Sequence, residues 1–305
     1  GRRIEGLDVL LDLDEQRVLH VHDVGPTVRS TALTDFDAES LAPFASPMPP
    51  FEVRQPNGVG YRLDGNVVSW HDWRFHVRVD PRRGLVLSTI GIEDEGRHRS
   101  VLYQASLSEM YVPYMDTAPM WADRLYLDLG EYVSDGLAES LEPGVDCPVG
   151  AMYFDDVIAT ESGQPKRRQR VACLFERPAP MPVWRHGVEN TTRVDGRVGR
   201  ELVVRMVATI GNYDYLFDWV FQQNGALRVI VGATGVLEVK TVESKRVAVG
   251  QHDVPSARAD ETYGHLVAEH LVAVNHDHYF AFRLDFDVDG TDNSFIESRL
   301  VRRRL

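Results

Sequence analysis

Leu202-Val203-Val204-Arg205-Met206-Val207-Ala208-Thr209-Ile210, followed by Gly211-Asn212-Tyr213-Asp214-Tyr215 and by aromatic sequence as far as Trp219 and Phe221, is the stretch that decides the fold class. Its first part interleaves apolar and polar side chains at the period of two that a half-buried strand requires. Gly211 and Asn212 interrupt it, and by themselves they read as an irregular strand end or a bulge. The same alternation recurs in residues 7–13, 18–22 and 73–79, with Asp14-Glu15-Gln16-Arg17 as the turn of a first hairpin. Turn-forming clusters punctuate the rest at short intervals: Asp64-Gly65-Asn66, Asp80-Pro81-Arg82-Arg83-Gly84, Gln223-Asn224-Gly225 and Asp289-Gly290. The pattern predicts a mainly β protein built on a large antiparallel β-sandwich. Helical patterning is sparse, with residues 34–39 the one short candidate.

Chain breakers concentrate between Pro47-Met48-Pro49-Pro50 and Pro56-Asn57-Gly58, which predicts a domain boundary there. Residues 1–50 then form the end of a small α+β domain and residues 51–305 the N-terminal part of the sandwich domain. A length of 305 residues accommodates this arrangement. A hydrophobic fraction of 43% and a charged fraction of 26% are those of a soluble globular protein, and no apolar run is long enough to span a membrane. The net charge of −13 disfavours nucleic acid as a partner and tolerates a cationic ligand. Lys166-Arg167-Arg168-Gln169-Arg170 is accordingly read as a solvated hairpin tip. No secretory signal opens the sequence, and its two ends look cut; the compartment, cytoplasmic or secreted, stays open.

Chemistry concentrates in a few places. His276-Asp277-His278 lies in residues 274–287, which alternate as a strand does. Positions i and i+2 share a face, with Cα atoms roughly 6.5 to 7 Å apart. Two imidazoles so placed either reach one copper or zinc ion or stand on a solvated face. Asp285 and Asp287 share a face in the same way, as ligands for a hard cation or as acids leading into the Asp289-Gly290 turn. Cys147 and Cys173 are the chain's two cysteines, either bridged or free.

The heptapeptide from Thr209 to Tyr215 resembles the cofactor-forming motif of the copper amine oxidases, Thr-x-x-Asn-Tyr-(Asp/Glu)-Tyr, at every fixed position. Tyr126-Leu127-Asp128-Leu129-Gly130-Glu131-Tyr132 resembles that family's Tyr-x-Asp-x-Gly-Glu segment. Val112-Pro113-Tyr114, and Tyr263-Gly264-His265 followed by Asn275-His276-Asp277-His278-Tyr279, also resemble family segments in the family's order.

The resemblance implies oxidation of a primary amine to an aldehyde, with dioxygen consumed and ammonia and hydrogen peroxide released. It further implies topaquinone formed from Tyr213, copper held by His276 and His278, Asp128 as the catalytic base, Tyr126 as a gate and Tyr114 as a hydrogen-bond partner of the quinone. Asn212 confines the ring. Asp285, with the Phe286 carbonyl, matches a second, calcium-like cation site, and Cys147 and Cys173 match a disulfide pair. The family's third copper-binding histidine has no counterpart at a matching position. His265, His270 and His252 are the substitutes within the chain, and a second polypeptide carrying the rest of the catalytic domain is the preferred source. The expected assembly is a dimer, or a heterotetramer if each active site is shared between two chains. A non-catalytic subunit of a larger amine-oxidase-like assembly is the alternative.

Overall fold

The structure is a computed structural model that describes residues 6–24, 48–49, 53–118, 120–131, 136–160, 162–245 and 259–303. The short helix expected at residues 34–39 lies outside these, as does His252. Strands β1 (Leu7–Asp12) and β2 (Arg17–Asp23) form the expected first hairpin.

An antiparallel meander follows: β3 (Tyr61–Asp64), β4 (Val67–Trp70), β5 (Trp73–Asp80), β6 (Gly84–Asp94) and the long β7 (Arg97–Pro113). Its turns fall where Gly65-Asn66 and residues 81–83 place them, because Gly65 and Gly84 take the positive φ the turns need and the Asp80 carboxylate accepts the Arg82 and Arg83 amides. The short β8 (Leu125–Leu127) pairs with the end of β7 and runs into one helical turn, α1 (Asp128–Glu131).

A second sheet begins with β9 (Met152–Ala159) and β10 (Pro165–Pro178). A small hairpin, β11 (Trp184–Gly187) and β12 (Val194–Arg197), intervenes before β13 (Arg200–Ile210), β14 (Tyr213–Gln222) and β15 (Leu227–Gly235). The second sheet has the order β15-β14-β13-β10-β9. Strands β16 (Val239–Thr241), β17 (Gly264–Ala268) and β18 (Leu271–Val274) make a small third sheet, and β19 (Tyr279–Phe286) returns to pair with β7 at the edge of the first. Every ladder between named strands is antiparallel, as the sequence predicted.

The two large sheets pack face to face. Alternate residues Leu202, Val204, Met206 and Ala208 of β13 meet Tyr215, Phe217, Trp219 and Phe221 of β14 and the inner faces of β5 and β6 in one core. Phe75 stacks on Phe221 with ring centroids 4.0 Å apart, and the Trp73 indole donates across to the Gln222 carbonyl at 2.9 Å.

Strand β13 is not half-buried. Val203 and Val207, on its other face, lie in a second core with Leu141, Phe175, Val220 and the Cys147–Cys173 disulfide, because residues 136–151 fold over that side. Closing this loop, with the two cysteines 26 residues apart in sequence, is worth about 3.5 kcal/mol in the chain-entropy account. Cys147→Ser combined with Cys173→Ser is expected to lower the unfolding free energy by roughly that amount in a denaturant titration. An unchanged midpoint would show that the bridge contributes nothing.

The basic cluster is not a hairpin tip either. The turn is at Thr160–Gln164, where the Thr160 amide donates to the Gln164 carbonyl, and residues 166–170 belong to β10. Arg168 donates to the Gly136 and Ala138 carbonyls and Arg170 to the Leu141 carbonyl, so these side chains hold the covering segment in place.

Candidate active site

Three chain segments converge at one end of the sandwich. The first is the turn between β13 and β14. Ile210 pairs with Tyr213, which leaves Gly211 and Asn212 as a two-residue hairpin turn and not a bulge; Gly211 has φ +58°, and glycine at the first turn position suits such hairpins. Tyr213 therefore begins a strand at a fixed point, with Asn212 exposed beside it and its carbonyl accepting the Val236 amide at 2.8 Å.

Gly235, the partner of Tyr213 in the ladder, has φ +117°, and a Cβ there would lie 2.3 Å from the Asn212 carbonyl oxygen and 2.8 Å from the Tyr213 Cα. Gly235→Ala is expected to cost about 1 to 3 kcal/mol of stability, and to displace Tyr213, because backbone atoms must move. A thermal melt and the yield of any chromophore at position 213 check both effects.

The second segment is the end of β7 with β8 and α1. It brings in Tyr114, Tyr126 and Asp128, and the Tyr114 and Tyr126 rings meet edge to face at 6.0 Å. The third is the link from β18 to β19. The expected single strand through residues 274–287 is broken there: β18 ends at Val274 in one sheet, β19 starts at Tyr279 in another, and His276 makes only an isolated bridge to Tyr114. The break is stitched by the Met115 amide donating to the Asn275 carbonyl at 2.9 Å. Even so, the two imidazoles remain side by side, with ring centroids 4.8 Å apart.

The first two segments, with Glu238, line a pocket of about 150 Å³ whose walls include Tyr114, Tyr126, Asp128, Asn212, Tyr213 and Tyr215; the histidine pair lies against Tyr213 outside that lining. The Tyr213 ring centroid lies 5.3 Å from that of His276 and 5.0 Å from that of His278. The hydroxyls of Tyr114 and Tyr213 are 3.3 Å apart, and the Tyr114 ring stacks on His276 at 4.4 Å. Burial first, then the hydrogen bond with Tyr213 and the charge of Glu238, hold the Tyr114 phenol far above its usual pKa, so it stays protonated.

Asp128 is 4% exposed. Burial, then repulsion from Glu109, pushes its carboxyl up to about 6, against a smaller lowering by a hydrogen bond from Tyr215. A pKa there suits a group that removes a proton near neutrality.

The imidazoles fit a copper ion as far as two ligands can. His276 Nδ1 lies 2.9 Å from the Val274 carbonyl, which can only accept, so Nδ1 carries the proton and Nε2 keeps its lone pair. Burial, then the neighbouring His276, lowers the pKa of His278 and keeps it neutral, as a metal ligand must be.

No third imidazole joins them among the described residues. His265 is on exposed positions of β17, and His270 is buried elsewhere with Nδ1 2.9 Å from the Val242 carbonyl. No group of three or more His, Cys, Asp or Glu able to hold a metal occurs among the described residues. Asp285 lies apart on β19, nearly half exposed with the Arg283 guanidinium 3.8 Å away, and Phe286 is exposed. The described residues bring no acidic cluster to Asp285 for a second cation.

Two parts of the site had not been read from the sequence. Tyr215 is buried against His278 and Asp128; its signal was its position two residues after Tyr213, which puts both phenols on one face of β14. Glu238, whose amide lies 3.3 Å from the Tyr213 hydroxyl, forms a buried ion pair with Arg124 at 2.6 Å, and the Arg124 guanidinium lies 3.6 Å over Trp121. Lys240 and Asp116 form a second pair between the same segments. Nothing in residues so far apart in sequence announced these pairings.

A two-sheet antiparallel sandwich that brings a histidine pair, a tyrosine at a turn and a buried carboxylate together at one end agrees with the resemblance to the copper amine oxidases. Residues 62–304 match the family described as copper amine oxidase, enzyme domain, and the chain belongs to that family. It is 40% identical over 310 residues to the peroxisomal copper-containing amine oxidase alpha 2 of Arabidopsis thaliana, covering 99% of this chain and 45% of that protein. It is 36% identical over 293 residues to the primary amine oxidase of Klebsiella aerogenes, covering 96% of this chain and 38% of that one. The copper-containing benzylamine oxidase of Hansenula polymorpha superposes with a TM-score of 0.78 at 27% identity, over 93% of this chain and 44% of that one. The chain thus spans less than half the length of these relatives. No helix among the described residues is long and apolar enough to cross a membrane.

Proposed function

We propose that the protein to which this chain contributes oxidises a primary amine to an aldehyde, releasing ammonia and hydrogen peroxide, with copper bound at His276 and His278 and topaquinone formed from Tyr213. The observation that carries this reading is the placement of two imidazoles, the Nδ1 of each tied to a hydrogen-bond partner, within 5.3 Å of the Tyr213 ring, centroid to centroid. Copper and dioxygen supply the oxidising power that converts the phenol, and the resulting quinone supplies the electron sink for the amine.

The chain's own residues do the rest. Asp128 accepts the proton from the amine's α carbon; Tyr114 holds the oxygen of residue 213 by its hydroxyl; Tyr126 stands at the pocket wall where an amine enters; Asn212 limits the swing of the ring at the turn. The third imidazole comes from sequence outside this chain, for which the greater length of the relatives leaves room. We assign residues 51–305 to the catalytic sandwich and residues 1–50 to the end of a preceding α+β domain. The family match from residue 62 supports the first assignment.

Copper-loaded intact protein exposed to air should react with phenylhydrazine to give an adduct absorbing in the visible, and failure to do so would refute the quinone. The incomplete histidine set among the described residues favours a second reading, a non-catalytic subunit. Metal analysis separates them: about one copper per assembled site supports the oxidase, and none after reconstitution supports the subunit.

A further inference from the structure

Tyr215 is 1% exposed, packed against Phe217, Phe280 and the His278 ring. A phenol buried that deeply must place both its proton and its lone pairs on partners, or lose the hydrogen bonds water would have made. Its oxygen lies 2.9 Å from His278 Nδ1, and it shares the pocket wall with Asp128, whose carboxylate its hydroxyl stabilises and whose charge holds the phenol protonated.

A phenol has one proton to give, and an ionised carboxylate can only accept. The proton therefore points to Asp128, and the Tyr215 oxygen accepts from the Nδ1–H of His278. That direction leaves His278 Nε2 with its lone pair, matching His276, whose Nδ1–H is held by the Val274 carbonyl. The opposite direction would put the hydrogen on Nε2 and remove the lone pair a metal needs.

We propose that Tyr215 is a positioning residue joining the two halves of the centre: its single hydroxyl sets which nitrogen of His278 faces the metal and how the Asp128 carboxylate is turned toward the pocket. The inference rests on the oxidase reading above and adds to it that the base and the metal ligand are not independent. A packing role alone would make the hydroxyl dispensable, since phenylalanine fills the same space.

The test uses the intact protein, freed of metal, with copper affinity measured by competition against a chelator. Tyr215→Phe is expected to weaken copper binding about 10- to 100-fold, as loss of a partner behind a ligating histidine does. In anaerobic single turnover it should also slow reduction by amine about 10-fold or more, per phenylhydrazine-reactive site.

Asp128→Ala reads the same coupling from the other end, and decides alone if the first variant does not fold. Without its acceptor, Tyr215 can turn its proton to His278, so copper binding should weaken roughly 10-fold although residue 128 touches no imidazole. Wild-type copper affinity in Asp128→Ala, or in a folded Tyr215→Phe, would overturn the proposal. Absence of a phenylhydrazine adduct in the wild-type protein would instead overturn the oxidase reading, while the affinity comparison still tests the coupling.

Discussion

Tyr213→Phe is expected to abolish the phenylhydrazine-reactive chromophore entirely and to bring amine turnover to background, while copper still binds. In the proposed chemistry, copper held by His276 and His278 would make the oxygen-bearing ring of residue 213 electron-rich enough to be oxidised, and phenylalanine lacks that oxygen. Phenylalanine keeps the ring beside the two imidazoles and loses the long contacts to Tyr114 and the Glu238 amide, both 3.3 Å. The cost in stability is correspondingly about 1 kcal/mol. Visible absorption after phenylhydrazine, metal content and a thermal melt together give the outcome. A chromophore surviving in the variant would mean that some other residue carries it.

The second large effect has opposite signs in two assays. Asp128→Asn is expected to lower turnover by about 10²- to 10⁴-fold, the usual contribution of a positioned general base, while leaving the quinone in place. The same change should raise stability at neutral pH by roughly 3 kcal/mol, because it removes a carboxylate whose pKa is raised from 3.8 to about 6 on folding. As pH rises from about 4 to about 6, the unfolded chain gives up this proton first and the folded one keeps it. The wild-type protein therefore loses stability over that window and the asparagine variant does not. Activity runs the other way, since the base must be ionised, and should fall tenfold per unit below about pH 6. Equal loss of activity and stability would make Asp128 a structural acid.

The sheets themselves were legible, because an alternating strand between tight turns has few alternatives. Gly65-Asn66 and Asp80 to Gly84 fall on real hairpin turns, and the disulfide forms between the two cysteines. Within the site, Tyr213 and Asp128 line one pocket and the histidine pair stands against the Tyr213 ring, although Asp128 and His278 lie 150 residues apart in sequence.

What could not be read depends on tertiary company. Val203 and Val207 look like the solvent side of a half-buried strand until a distant segment covers them. Residues 166–170 look solvated until their guanidinium groups find the Gly136, Ala138 and Leu141 carbonyls. The alternation through residues 274–287 continues smoothly across a point where the chain leaves one sheet for another, because period alone does not say which neighbour a strand pairs with. Glu238 and Arg124 carry no local pattern at all; only the folded chain brings them together.

Everything proposed for the chemistry depends on a copper ion sitting between His276 and His278, in reach of residue 213. X-ray diffraction from crystals of the copper-loaded intact protein, collected on either side of the copper absorption edge, measures this directly. A single anomalous peak bonded to Nε2 of both imidazoles, beside residue 213, is the predicted result. A peak at any other residues, or none at this pair in fully loaded protein, would contradict it.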